Sequence, residues 1–104
     1  MILYIEKYDI QADKLEAYYK WATENLQGQH AEPGVVQFMG YRVLVGSSRA
    51  AMTHEFADLA AWAVWNNDPE TIKTRTELYS FALNVSTELW GSSPLMPAPM
   101  RPAK

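Results

Sequence analysis

Cysteine is absent from this 104-residue chain, so disulfides, thiolate nucleophiles and cysteine-ligated metals are excluded at once. Histidine is nearly as scarce: only His30 and His54 occur. They lack the short spacing of a helical metal pair, so no metal site is expected. No run of eighteen apolar residues exists, which excludes a membrane-spanning helix. There is no Gly-rich phosphate loop and no G-x-S-x-G elbow, which removes the common nucleotide cradle and one large class of hydrolases. Nine Lys and Arg stand against twelve Asp and Glu, a formal charge of -3, and the basic residues form no cluster. No nucleic-acid partner is therefore expected. The opening "MILYIEKYDI" lacks the basic start, apolar core and cleavage site of a secretion signal. A cytoplasmic location is the expectation.

Aromatic residues are what the chain has in quantity: four Trp, six Tyr and three Phe, enough to dominate the interior of one small domain. A core of this size gains from oligomerisation.

"ILYIEKYDI" (2–10) alternates and reads as a strand, with Tyr4, Glu6 and Tyr8 on one face. "DKLEAYYKWATENLQG" reads as a helix. Asp13 and Glu16 have capping-box spacing, Leu15, Tyr18, Tyr19, Ala22 and Leu26 share a face, and Gly28 is the stop. After the "EPG" turn, "VVQFMGYRVLVG" (35–46) and "AAMTHEF" (50–56) read as a hairpin around "GSSR". A loop centred on Ser47-Ser48 sets Tyr41 opposite His54 and makes Arg42 and Glu55 diagonal neighbours. Ser-Ser does not supply the positive φ of a tight turn, so a three-residue slip stays open. Asp58 is the N-cap expected for "LAAWAVWNN", and Asp68-Pro69-Glu70 starts a further helix. Helical spacing continues from Ile72 to Leu89, although "NVSTELW" (84–90) also suits a short strand. The remainder, 91–104, has four prolines and reads as an extended tail beyond a domain at 1–90.

In order and rhythm the chain resembles the dimeric α+β barrel superfamily, its antibiotic-biosynthesis-monooxygenase-like and NIPSNAP-like groups in particular. The stretches that carry the resemblance are "ILYIEKYDI", "EPGVVQFMGYRVLVG" and "MTHEFADLAAWAVWNNDPE". The resemblance implies an α+β fold, a ferredoxin-like β-α-β-β-α-β protomer with an antiparallel sheet. It makes 84–90 the fourth strand, and it implies a homodimer whose sheets form a shared α/β barrel. It also implies an apolar pocket between sheet and helices. Cofactor-free oxygenases of this fold use a small set of Asn, Trp and His, loosely matched here by Asn66, Trp65 and His54.

His54 is the first candidate for chemistry, because an imidazole exchanges protons near neutral pH. Facing Tyr41, it would form a catalytic pair that binds and deprotonates a phenol-like substrate. The alternative is an imidazole hydrogen-bonded to Tyr41 and inert. Trp62 and Trp65 fall on one helix face, either as walls of a substrate pocket or, the better-supported alternative, packed against the sheet as core. Asn66 is placed to orient a carbonyl, with ordinary turn chemistry in "NNDP" as the alternative, and Tyr4 and Tyr8 to reach either the substrate pocket or the dimer interface. Two functions follow. One is a monooxygenase-like enzyme acting on a small aromatic or polyketide-like substrate without a bound cofactor. The other is a non-catalytic dimeric module that binds a hydrophobic ligand, haem on His54 included, or a protein partner.

Overall fold

Strict alternation in the first ten residues becomes strand β1 (Ile2–Ile10), which turns Tyr4, Glu6 and Tyr8 inward. The structure is a computed structural model and describes residues 1–103, apart from the side chain of His30, which lies outside the described residues. Helix α1 (Leu15–Asn25) is followed by the hairpin β2 (Gln37–Arg42) and β3 (Ala50–Phe56). Helices α2 (Leu59–Asn66) and α3 (Pro69–Tyr79) come next, then β4 (Ala82–Gly91). The strands form one antiparallel sheet in the order β2-β3-β1-β4. With helices on one face, this is the ferredoxin-like α+β arrangement. No described helix is long and apolar enough to cross a membrane.

Local chemistry explains most of the boundaries. The Asp58 carboxylate accepts from the Ala61 N–H at 2.8 Å, and that of Asp68 from the Glu70 N–H at 2.9 Å, with Pro69 at the first turn of α3. Each such cap is worth about 1 kcal/mol. The Asp13–Glu16 capping box does not form. Residues 12–14 make a 3-10 turn instead, α1 begins at Leu15, and neither element start has a side-chain cap. On α1, Trp21 is the buried anchor, while Leu15 and Tyr19 remain exposed.

The hairpin is where pattern and structure part. β2 stops at Arg42, and the Val43 N–H bonds the Arg49 carbonyl at 3.0 Å across a wide loop. That loop is centred on Gly46, whose φ of +152° favours glycine, rather than on Ser47-Ser48. The register accordingly slips by three: Phe38 pairs with His54, Gly40 with Met52, and Tyr41 with Ala51. An odd slip exchanges the two faces of a strand. Tyr41 is therefore not opposite His54 and points to the other side of the sheet. Arg42 pairs with Ala50 and Glu55 with Gln37, so the expected Arg42–Glu55 neighbours are apart as well.

Segment 82–91 is strand, as the resemblance implied and against its helical spacing. Pairing with β1, from Ile10↔Ala82 to Ile2↔Gly91, supplies its backbone hydrogen bonds. A register shift beside Lys7 is accompanied by a positive φ of 54° at Asn84. Leu83 and Leu89 are exposed, so the apolar spacing there corresponds to no buried helical stripe.

The core lies under the helices in two clusters. Tyr8, Trp21, Met52, Leu78 and Ala82 form one, and Tyr4, Phe56 and Trp65 form the other. The opposite face of the sheet is open, with Met39, Tyr41 and Trp90 exposed along it.

Candidate functional site

Charged and polar side chains interrupt the core between sheet and helices. β1 contributes Glu6 and β3 contributes His54. α3 adds Thr71, Thr74 and Arg75, and the 3-10 turn Gln29–Ala31 adds Gln29. Together with Trp21 and Trp65 they line a chamber of about 20 Å³. That is room for a single water.

His54 is 3% exposed. Its ring packs 4.6 Å from that of Trp65 and 4.7 Å from that of Phe38, centroid to centroid. Nε2 lies 3.1 Å from Gln29 Oε1. An amide oxygen only accepts, so Nε2 carries the proton, and the buried Nδ1, which has no partner among the described residues, keeps the lone pair. Burial, reinforced by Arg75, lowers the imidazole pKa to about 4. At neutral pH His54 is thus an uncharged ring with a free basic nitrogen.

Glu6 has the opposite displacement. Burial raises its carboxyl above the usual range, while the Tyr79 hydroxyl, donating at 2.8 Å, and Arg75 pull it back. Tyr79 is itself pushed up by burial and by Glu6. Arg75 donates to Asn66 Oδ1 at 2.8 Å and lies 5.7 Å from the Trp65 ring centroid and 6.0 Å from that of Tyr4. Two titratable groups displaced in opposite senses around one chamber are the arrangement expected of an acid–base site.

Beside the chamber, between α1 and the β2–β3 hairpin, runs an apolar cleft of about 340 Å³. Tyr8, Tyr18, Phe38 and Met52 are among its walls. Leu26 and Met52 line both the cleft and the chamber, and with Phe38, which lines the cleft and packs on His54, they form the partition. Gly40 faces the cleft across from Met52. A Cβ built there would meet nothing within 4 Å, and its φ is not positive. Neither packing nor backbone demands this glycine, and its missing side chain leaves the cleft open.

The candidates from sequence fall into groups. His54 and Trp65 line the chamber; Tyr4 packs edge to face on Trp65 at 5.3 Å and Asn66 bonds Arg75, so both stand behind its walls. Trp62 is half-buried, 6.5 Å from Tyr4, and does not line the chamber. Tyr8 belongs to the cleft, where its hydroxyl lies 2.7 Å from that of Tyr18. Tyr41 is 51% exposed at the cleft rim and does not meet His54. A haem ligated by His54 does not fit: Phe38 and Trp65 cover the ring, Gln29 holds Nε2, and the adjoining space is about 20 Å³. The sequence reading passed over Gln29, Arg75 and Tyr79. Arg75 and Tyr79 carried a usable signal, since residues four apart share a helix face.

No protein-family model matches the chain, and no curated protein matches it. Solved structures do. An antibiotic biosynthesis monooxygenase is 13% identical over 90% of this chain and 100% of its own, with a TM-score of 0.74. A dabb family protein with a ferredoxin-like fold from Mesorhizobium loti is 17% identical over 86% and 93%, TM-score 0.74. A dimeric ferredoxin-like protein of unknown function from Jannaschia sp. CCS1 is 14% identical over 86% and 96%, TM-score 0.72. At these identities the likeness establishes the fold, and that fold is the one the sequence resemblance implied.

Proposed function

We propose that this chain, built on the fold it shares with an antibiotic biosynthesis monooxygenase, is a monooxygenase-like enzyme for a small aromatic substrate, working without a bound cofactor. The observation that carries the reading is the buried Nδ1 of a neutral His54, without a partner among the described residues, next to an apolar cleft from which Leu26, Phe38 and Met52 divide it. The aromatic body sits in the cleft, and displacement of Met52 brings an acidic C–H to Nδ1. His54 takes the proton. The carbanion reduces dioxygen and forms a C–O bond, giving a hydroperoxide. Loss of water then leaves a carbonyl, so a methylene and one dioxygen become a carbonyl and one water. Gln29 fixes the tautomer, and the Glu6 carboxyl, which burial shifts toward its protonated form, is the proton donor for the departing hydroxide. The working unit is a homodimer closed through the open face of the sheet, where Met39 and Trp90 lie exposed.

The test uses 2-tetralone, an aromatic ketone with an acidic methylene. Oxygen uptake should exceed the uncatalysed rate, with one dioxygen consumed per ketone. A folded His54→Gln variant should lose on the order of 10²-fold. Equal rates for the two proteins would remove His54 from the mechanism.

A second reading is favoured by one observation, the closure of the chamber. With about 20 Å³ beside His54, the imidazole also serves as a core element under a cleft that only binds. Saturable binding of 2-tetralone with no oxygen uptake would select that reading.

A further inference from the structure

The cleft continues past its rim. Tyr18, Tyr41 and Ala50 also line a wider cavity of about 660 Å³ that opens toward solvent. Its walls include Arg42 and Arg49, and among the described residues neither guanidinium has an ion-pair or hydrogen-bond partner. Asp9 is there too, but its carboxylate is committed elsewhere. Oδ1 accepts the Arg49 backbone N–H at 2.8 Å, and Oδ2 accepts the Asn84 side-chain amide at 3.2 Å. The outer end thus has two free cations against one engaged anion, whereas the inner end, at Leu26, Phe38 and Met52, is apolar.

We propose that this groove binds an amphipathic carboxylate, its head between Arg42 and Arg49 and its apolar body laid along Tyr18 and Gly40 toward Phe38 and Met52. The proposal rests on the reading of the cleft as the substrate site and adds the substrate's class and direction. Guanidinium forks match carboxylate oxygens in geometry. One net positive charge suits a singly charged head better than a phosphate dianion. The orientation keeps the anion at the solvent end, where it needs no desolvation, and sends the neutral end toward the Leu26–Met52 partition and His54. The carboxylate is then a handle and the distal carbon is the reacting position.

Calorimetric titration of the full chain with 2-naphthoate and with its uncharged methyl ester tests this. The acid should bind, and the ester about tenfold more weakly, the loss expected for one charge-assisted hydrogen bond. Arg42→Ala with Arg49→Ala, both exposed positions, should weaken the acid about tenfold and leave the ester unchanged. Gly40→Leu should weaken both. Equal affinity for acid and ester, no binding of the acid, or indifference of the acid to the arginine changes would overturn the anionic head while leaving the cleft standing if Gly40→Leu still acts on the ester. Indifference of both ligands to Gly40→Leu would overturn the cleft, and with it the enzyme reading. Tighter binding of 2-naphthyl phosphate than of 2-naphthoate would overturn the carboxylate assignment.

Discussion

Acidification should reveal His54 directly. Its pKa is about 4 in the folded protein, against 6.5 for the unperturbed side chain. At 1.36 kcal/mol per unit that gap is worth about 3 kcal/mol, a large part of the roughly 5–15 kcal/mol that holds a typical domain. The folded value is depressed, so the contribution is complete above 6.5 and is lost as pH falls through about 4. Glu6 acts in the opposite direction. Its raised pKa contributes stability at low pH that is lost as pH rises through the folded value. The two slopes overlap, and only a comparison separates them. Urea unfolding, followed by the emission of buried Trp21 and Trp65, is measured on wild type and on His54→Gln from about pH 4 to about pH 7.5. Other carboxylates are common to both proteins and cancel. The stability difference in favour of wild type should shrink by about 3 kcal/mol as pH falls from about 7.5 to about 4. A difference that stays flat, or an imidazole that titrates near its ordinary value by NMR, would refute a buried His54 held neutral by its surroundings.

Glu6→Gln should raise the melting temperature at mildly alkaline pH, where the wild-type carboxyl is buried and charged, and do little in acid, where it is already neutral; the reverse order would contradict the raised pKa. Gly40→Val should add about 0.5–1 kcal/mol, since a strand glycine costs that much and the new side chain meets open space, yet it should weaken 2-tetralone binding. For a domain of this size that is a gain of roughly 2–8 °C in a thermal scan, and a loss of stability would show that Gly40 is structural. Met39→Glu, on the open sheet face, should weaken self-association at least about tenfold by sedimentation equilibrium and leave the protomer folded. An unchanged dissociation constant would move the dimer interface elsewhere.

The parts of the structure legible in the sequence were those set by local chemistry. Asp58 and Asp68 cap helices because their carboxylates reach N–H groups two or three residues away, and β1 alternates because one side of it is buried. The hairpin register was less accessible. It depended on which residue took the loop's positive φ, and Gly46 took it, carrying Tyr41 away from His54. Spacing alone favoured helix over β4, because it does not register a partner strand about eighty residues earlier; the strand came from the family resemblance. The chamber was half visible. His54 was marked by its rarity and Glu6 by its place between two inward tyrosines. Gln29 and Tyr79 reach the chamber through a turn and a helix whose position only the packed structure defines.

The pairing of β1 with both β3 and β4 also bears on how the protein is made. Within the sheet β1 precedes both of its neighbours, which begin at residues 50 and 82. Until they arrive, a segment rich in Ile and Tyr has two unsatisfied edges. Contacts so distant in sequence slow folding and lengthen the time during which a bare strand can pair with another chain. β3 covers one edge of β1, and the other edge stays open until β4 has emerged from the ribosome.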